Sequence, residues 1–94
     1  MNEQKIIEAN LNDLVDHPIL AGFPMLTEDQ FLALVDSILE HGILKPITAI
    51  KQGEKLFIID GRNRHRAACR AGLKKAPVII APDGTDPLDY AIES

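Results

Sequence analysis

Cysteine is almost missing from this chain: Cys69 is its one thiol in 94 residues. A lone cysteine closes no intramolecular disulfide, and no Cys/His spacing suits a structural zinc site. Apolar runs are short as well, far below the length that crosses a bilayer. Met1-Asn2-Glu3-Gln4-Lys5 leads into no apolar signal segment. A membrane-spanning, secreted or imported protein is therefore not expected, and the expected location is the cytoplasm. Internal repeats, low-complexity tracts, a P-loop and any Ser/His/Asp arrangement are also missing. What remains is an ordinary globular composition, 46% hydrophobic and 26% charged. The length suits a single domain over residues 1–94 that buries a core with little margin, so one site is expected rather than several.

Positive charge is scarce everywhere but in one place. Residues 61–75 carry Arg62, Arg64, Arg66, Arg70, Lys74 and Lys75 with no acid, a local +6 that leaves −10 on the rest of a chain whose net formal charge is −4. An acidic body with one basic patch favours an anion, either phosphate or a nucleic-acid backbone. The plainer reading is a solvated helix face paired with nearby carboxylates.

Hydrophobic spacing orders the chain into alternating strands and helices. Ile6-Ile7-Glu8-Ala9 reads as a first strand, with Leu11 and Leu14 anchoring a turn ahead of His17-Pro18. Residues 19–25 are apolar but broken by Gly22 and Pro24, so they read as a loop packed over something. Thr27-Glu28-Asp29-Gln30 matches a capping box. The helix it opens should bury Phe31, Leu34, Val35, Ile38 and Leu39 and stop at Gly42, with Ile43 folding back on the last turn. Pro46 makes Lys45 extended, and Ile47–Ile50 begins a strand. Lys51–Glu54 forms a hairpin loop, and Leu56–Ile59 returns as a central strand. A second helix over Arg62–Ala71 closes at Gly72, Pro77–Ile80 is another buried strand, and Asp86 caps a last helix from Leu88 to Glu93. The fold class is α+β, a compact mixed sheet with a β-hairpin, covered by helices.

Strand, glycine, then a helix opening on three arginines in five residues is the pattern that carries chemistry. First-turn amides are unsatisfied donors at the positive end of the helix dipole, and Gly61 lets an anion come close. Arginine adds planar forks for phosphate oxygens. Cations at a helix start oppose the dipole, so a purely structural sequence would place acids there. Arg62, Arg66 and Arg70 fall on one helix face, and Ala67, Ala68 and Ala71 let the helix sit close to the sheet. Asp60 is either the helix cap or a magnesium ligand beside phosphates. His65 is either a phosphate donor, a base-stacking ring or a plain surface residue. Cys69, among alanines, reads as a small buried thiol.

Three stretches taken together are recognisable: His41-Gly42-Ile43-Leu44-Lys45-Pro46-Ile47, Ile59-Asp60-Gly61-Arg62-Asn63-Arg64-His65-Arg66-Ala67-Ala68, and Ala71-Gly72. In content and order they resemble the N-terminal domain of ParB-like proteins, with its G-I-x-x-P-I helix end, hairpin, G-E-R-R-x-R-A-A box and closing A-G. The likeness spans roughly Ala9 to Glu93. It implies a ParB/sulfiredoxin-like fold that binds CTP or another nucleoside triphosphate with magnesium. The implied binding residues are Gly61, Arg62, Asn63, Arg64, His65 and Arg66, together with Pro46 and Ile47. Gly61, Arg64, Arg66 and Ala67 match the box directly. Arg62 replaces its Glu and Asn63 its first Arg, so phosphate binding is expected while CTP selectivity and hydrolysis do not follow.

The family's upstream N-P-x-Q-P-R element is present only as His17-Pro18, and a downstream E-N-x-x-R element would begin near residues 91–94. The resemblance thus implies the front of a longer protein acting in DNA partition or gene regulation. It would work as a homodimer, with DNA contacted through regions beyond Ser94. The alternative is an enzyme of the same fold, a ParB-like nuclease or a small-molecule kinase, with Asp60 and Glu93 as candidate base and magnesium ligands. Sulfiredoxin, similar in fold, has a Cys just after the glycine; this chain has Arg62 there, so sulfinic-acid reduction is not expected.

Overall fold

The computed structural model describes residues 5–93, with side chains through Tyr90. Strand β1 (Ile6–Asn10) is followed by a 3-10 turn at Leu11–Asp13, a short strand β2 (Leu14–Asp16) and a second 3-10 turn at Pro18–Gly22. Helix α1 (Glu28–His41), the hairpin strands β3 (Ile47–Gln52) and β4 (Lys55–Asp60), helix α2 (Arg62–Arg70), strand β5 (Lys75–Ile80) and helix α3 (Pro87–Glu93) complete the chain. The sheet is mixed, in the order β1-β5-β3-β4-β2. β1 runs antiparallel to β5 and β3 antiparallel to β4, whereas β3 with β5 and β2 with β4 are parallel pairs. This is the α+β mixed sheet with a hairpin and covering helices that the alternation of elements predicts.

Local chemistry accounts for the boundaries. Thr27 and Gln30 form a reciprocal capping box at the start of α1, and Gly42 ends that helix at a φ of 72°. β3 and β4 meet through the two residues Gly53 and Glu54, so Lys51 and Gln52 belong to the strand and not, as the sequence suggests, to the loop. Asp86 accepts from the Leu88 amide at 3.0 Å and so caps α3.

One face of the sheet carries Ala9, Ile47, Ala49, Ile58, Ala76 and Val78 into a core shared with Ala68 of α2. Ala67 and Ala68 are fully buried, and their small side chains let α2 lie close to the strands. α1 is held mainly through α2, with its Val35 and Ile38 packed on Ala67.

Three expectations are corrected. Leu11–Asp16 is not merely a turn: Leu14, Val15 and Asp16 pair with Leu56, Phe57 and Ile58 and extend the sheet by a strand. Leu39 is 62% exposed, because α1 rests on α2 through Phe31, Leu34, Val35 and Ile38 and its flank is left uncovered. Cys69 is exposed, on the flank of α2 that also carries His65, with Sγ 3.8 Å from His65 Nε2.

The hairpin places the site. Because β3 and β4 are antiparallel, the start of β3 lies beside the end of β4, with Thr48 paired to Asp60. The register shifts between Thr48 and Ala49 at this point. Pro46 and Ile47 are thereby carried alongside Gly61.

Candidate functional site

Gly61 occupies the one backbone conformation that joins β4 to α2, with φ 105° and ψ 22°. Side chains other than glycine's are strained there. A Cβ at this position would also lie 2.8 Å from Arg64 Nη2 and 3.2 Å from Ile47 Cγ1. The open space beside the glycine, which the sequence suggests is kept for a phosphate, is used by the Arg64 guanidinium.

α2 begins without a side-chain cap: Gly61 is the N-cap residue, and the first turn holds no acid. Asp60 is therefore not the cap. It ends β4 and faces Arg64, with Oδ2 3.7 Å from Nη2. The same Nη2 donates to the Pro46 carbonyl at 3.2 Å, so Arg64 is steered by strand β3 as well as by its own helix. Two side-chain atoms of this turn, Arg64 Nε and Asn63 Oδ1, are buried with no hydrogen-bond partner. Unpaired buried polar atoms are costly and uncommon, and here both belong to the first turn of a helix whose amides no side chain caps.

A pocket of about 400 Å³ opens at this turn. Lys45, Asp60, Gly61, Arg62, Asn63 and Arg64 line it together with the apolar residues Leu20, Phe23, Pro24, Leu26 and Leu34. Its lining residues include three cations and one carboxylate. Such a cleft, part cationic and part apolar, suits a ligand with an anionic end and a flat or apolar end.

The remaining residues named from the sequence are placed as follows. The guanidinium of Arg62 is buried and turned to the carbonyls of Leu20, Phe23 and Pro24, away from its expected alignment with Arg66 and Arg70. His65 Nε2 lies 2.9 Å from the Leu11 carbonyl and ties α2 to the 3-10 turn after β1. Arg66 and Arg70 are exposed and do not line the pocket. Ile47 is fully buried beneath Gly61, and Pro46 contributes its carbonyl. The side chain of Glu93 lies outside the described residues. Among those that are described, no group of three or more His, Cys, Asp or Glu side chains is placed to hold a metal. Nor is any helix long and apolar enough to cross a membrane.

Sequence reasoning missed Lys45 and the apolar wall as site residues. The signal for the wall was present: an apolar loop punctuated by Gly22 and Pro24 had to pack over something.

Comparison with known proteins agrees with the resemblance read from the motifs. The chain is 35% identical over 81 residues to stage 0 sporulation protein J of Bacillus subtilis, covering 85% of this chain and 28% of that protein. It superposes with a TM-score of 0.81 on the C-terminally truncated chromosome-partitioning protein ParB of Caulobacter crescentus complexed with CTP-gamma-S. That match is 29% identical and covers 95% of this chain and 49% of that one. The same Caulobacter protein complexed to the centromeric parS site matches with a TM-score of 0.72 and 31% identity, over 93% of this chain and 42% of that one. Sulfiredoxin of Arabidopsis thaliana shares the fold, with a TM-score of 0.72 and 20% identity over 94% of this chain and 97% of that one. A family model described as the ParB N-terminal domain matches residues 1–93, and the chain belongs to that family.

Proposed function

We propose that this domain binds a nucleoside triphosphate, CTP first among them, at the uncapped start of α2, and serves DNA partition through that binding. The observation that carries the reading is the first turn of α2. It has no cap and no acid, leaves Arg64 Nε buried without a partner, and opens into a pocket with three cations to one carboxylate. Triphosphate oxygens would satisfy the amides of Arg62, Asn63 and Arg64 together with the Arg64 guanidinium. The apolar wall of Leu20, Phe23 and Pro24 would take the base and sugar. CTP ranks first because a relative of this fold, 29% identical, was solved with CTP-gamma-S.

The donor set suits magnesium arriving with the nucleotide. That ion takes one or two carboxylates and leaves its other positions to phosphate and water. Asp60 is the carboxylate that lines the pocket and would hold it, and the ion would offset phosphate charge there. Asp60 also aligns Arg64, a role that fits binding better than nuclease or kinase chemistry.

Partition of DNA is a property that we assign to the longer assembly, in which nucleotide occupancy of this domain would govern contact with a centromere-like site. Calorimetric titration of the chain with CTP, ATP and GTP, each with magnesium, tests the reading. Saturable binding of CTP supports it, and heats no larger than dilution for all three overturn it.

A further inference from the structure

We propose that Arg62 is a positioning residue whose buried guanidinium clasps the Leu20–Pro24 loop to the start of α2 and thereby sets the wall against which the base and sugar rest. The inference rests on the nucleotide reading and deepens it. Arg62 opens α2 and retains only 9% exposure. Its Nη1 donates to the Leu20 carbonyl at 2.7 Å, and its Nη2 to those of Phe23 and Pro24, partners 38 to 42 residues away in sequence.

The near end of the loop is held locally. His17 Nδ1 accepts from the Ile19 amide at 3.1 Å, and the His17 carbonyl from the Leu20 amide at 3.0 Å. At the far end, Arg62 is the side chain that holds the Phe23 and Pro24 carbonyls. Leu20, Phe23 and Pro24 are also among the apolar residues that line the pocket.

The chemistry of the contact argues against mere filling of space. A buried cation with no carboxylate partner is poorly placed, and a helix start is the worst end of the dipole for it. Among the described residues Arg62 forms no ion pair. An apolar side chain of similar length would fill the volume without that cost. What only arginine supplies is a rigid planar fork able to donate to three carbonyls of one bent segment at once. One residue therefore spans both halves of the pocket. Its amide stands in the turn that would meet the phosphates, and its guanidinium fixes the wall that would meet the nucleoside. Removing the guanidinium should loosen the nucleoside half and leave the phosphate half in place.

The test uses the whole chain, Arg62→Met and Arg62→Lys, with CTP and inorganic tripolyphosphate as probes. Hydrogen exchange is followed at residues 18–26 and in β4. In Arg62→Met, exchange at residues 18–26 should quicken about tenfold or more while β4 is unchanged. CTP affinity should fall about tenfold while tripolyphosphate affinity stays within about threefold. Arg62→Lys, which keeps the charge but not the fork, should lie between, and it carries the same measurements if the methionine variant does not fold. Unaltered exchange in the loop overturns the proposal. Equal losses for CTP and tripolyphosphate also overturn it, by making Arg62 a phosphate ligand. If the unmutated chain binds neither probe, the nucleotide reading is what fails. The exchange data then decide the clasp alone: faster exchange in the loop keeps it and unchanged exchange removes it.

Discussion

Helices α1 and α2 pack against each other, yet they begin in opposite ways. α1 opens on a complete capping box, carries Glu28 and Asp29 in its first turn and ends with His41 in its last, each choice favourable to the helix dipole. α2 opens on a left-handed glycine with no cap, no acid and three arginines within five residues. Every donor that α1 satisfies from within its own sequence, α2 leaves for something else. A helix start that is finished internally is structural; one left without a cap or an acid, beside cationic pocket residues, is the feature on which the proposed nucleotide site rests.

The comparison can be broken most severely at Gly61. Gly61→Val combines a strained φ with contacts to Arg64 and Ile47, and should cost about 2 to 3 kcal/mol in chemical denaturation and abolish CTP binding. A variant of native stability would show that the left-handed turn is not required. Next in size is Arg64→Ala, which removes a charged donor aimed at the site. Calorimetry should show CTP affinity falling by about 1.5 to 3 kcal/mol, tenfold or more. A loss no larger than that of Lys75→Ala, at the far end of the basic segment, would make the patch a diffuse surface.

Asn63→Asp sharpens the contrast, because it gives α2 the first-turn acid that α1 has. Stability should rise by about 0.5 kcal/mol through the dipole, while CTP affinity drops about tenfold through repulsion of phosphate. Movement of both in the same direction would break the link between an unsatisfied helix start and ligand binding. Thr27→Ala does the converse at α1, and should cost about 1 kcal/mol of stability with CTP affinity within about twofold. Smallest of all is Cys69→Ala. Replacing an exposed thiol that does not line the pocket should change stability by less than about 0.5 kcal/mol and leave CTP binding untouched. A clear loss of binding there would place chemistry at the Cys69–His65 pair, 3.8 Å apart.

The sequence by itself determined the order of the elements other than β2, both ends of α1, the glycine hinge into α2 and the segment in which positive charge is concentrated. These depend on neighbours within about five residues, through capping, glycine conformation, proline restriction and hydrophobic period, so they can be read locally. Only the tertiary structure decided what stood against them. Leu39 has the spacing of a buried residue, but α1 is covered on one flank alone. Leu14 and Val15 are too few to signal a strand until β4 supplies a parallel partner. Arg62 shares a helical face with Arg66 and Arg70, yet a loop some forty residues earlier in the chain supplies three carbonyls that draw its guanidinium inward. Local periodicity gives the direction in which a side chain leaves its helix. Whether it meets water, a carbonyl or a core there depends on contacts distant in sequence, which no local pattern encodes.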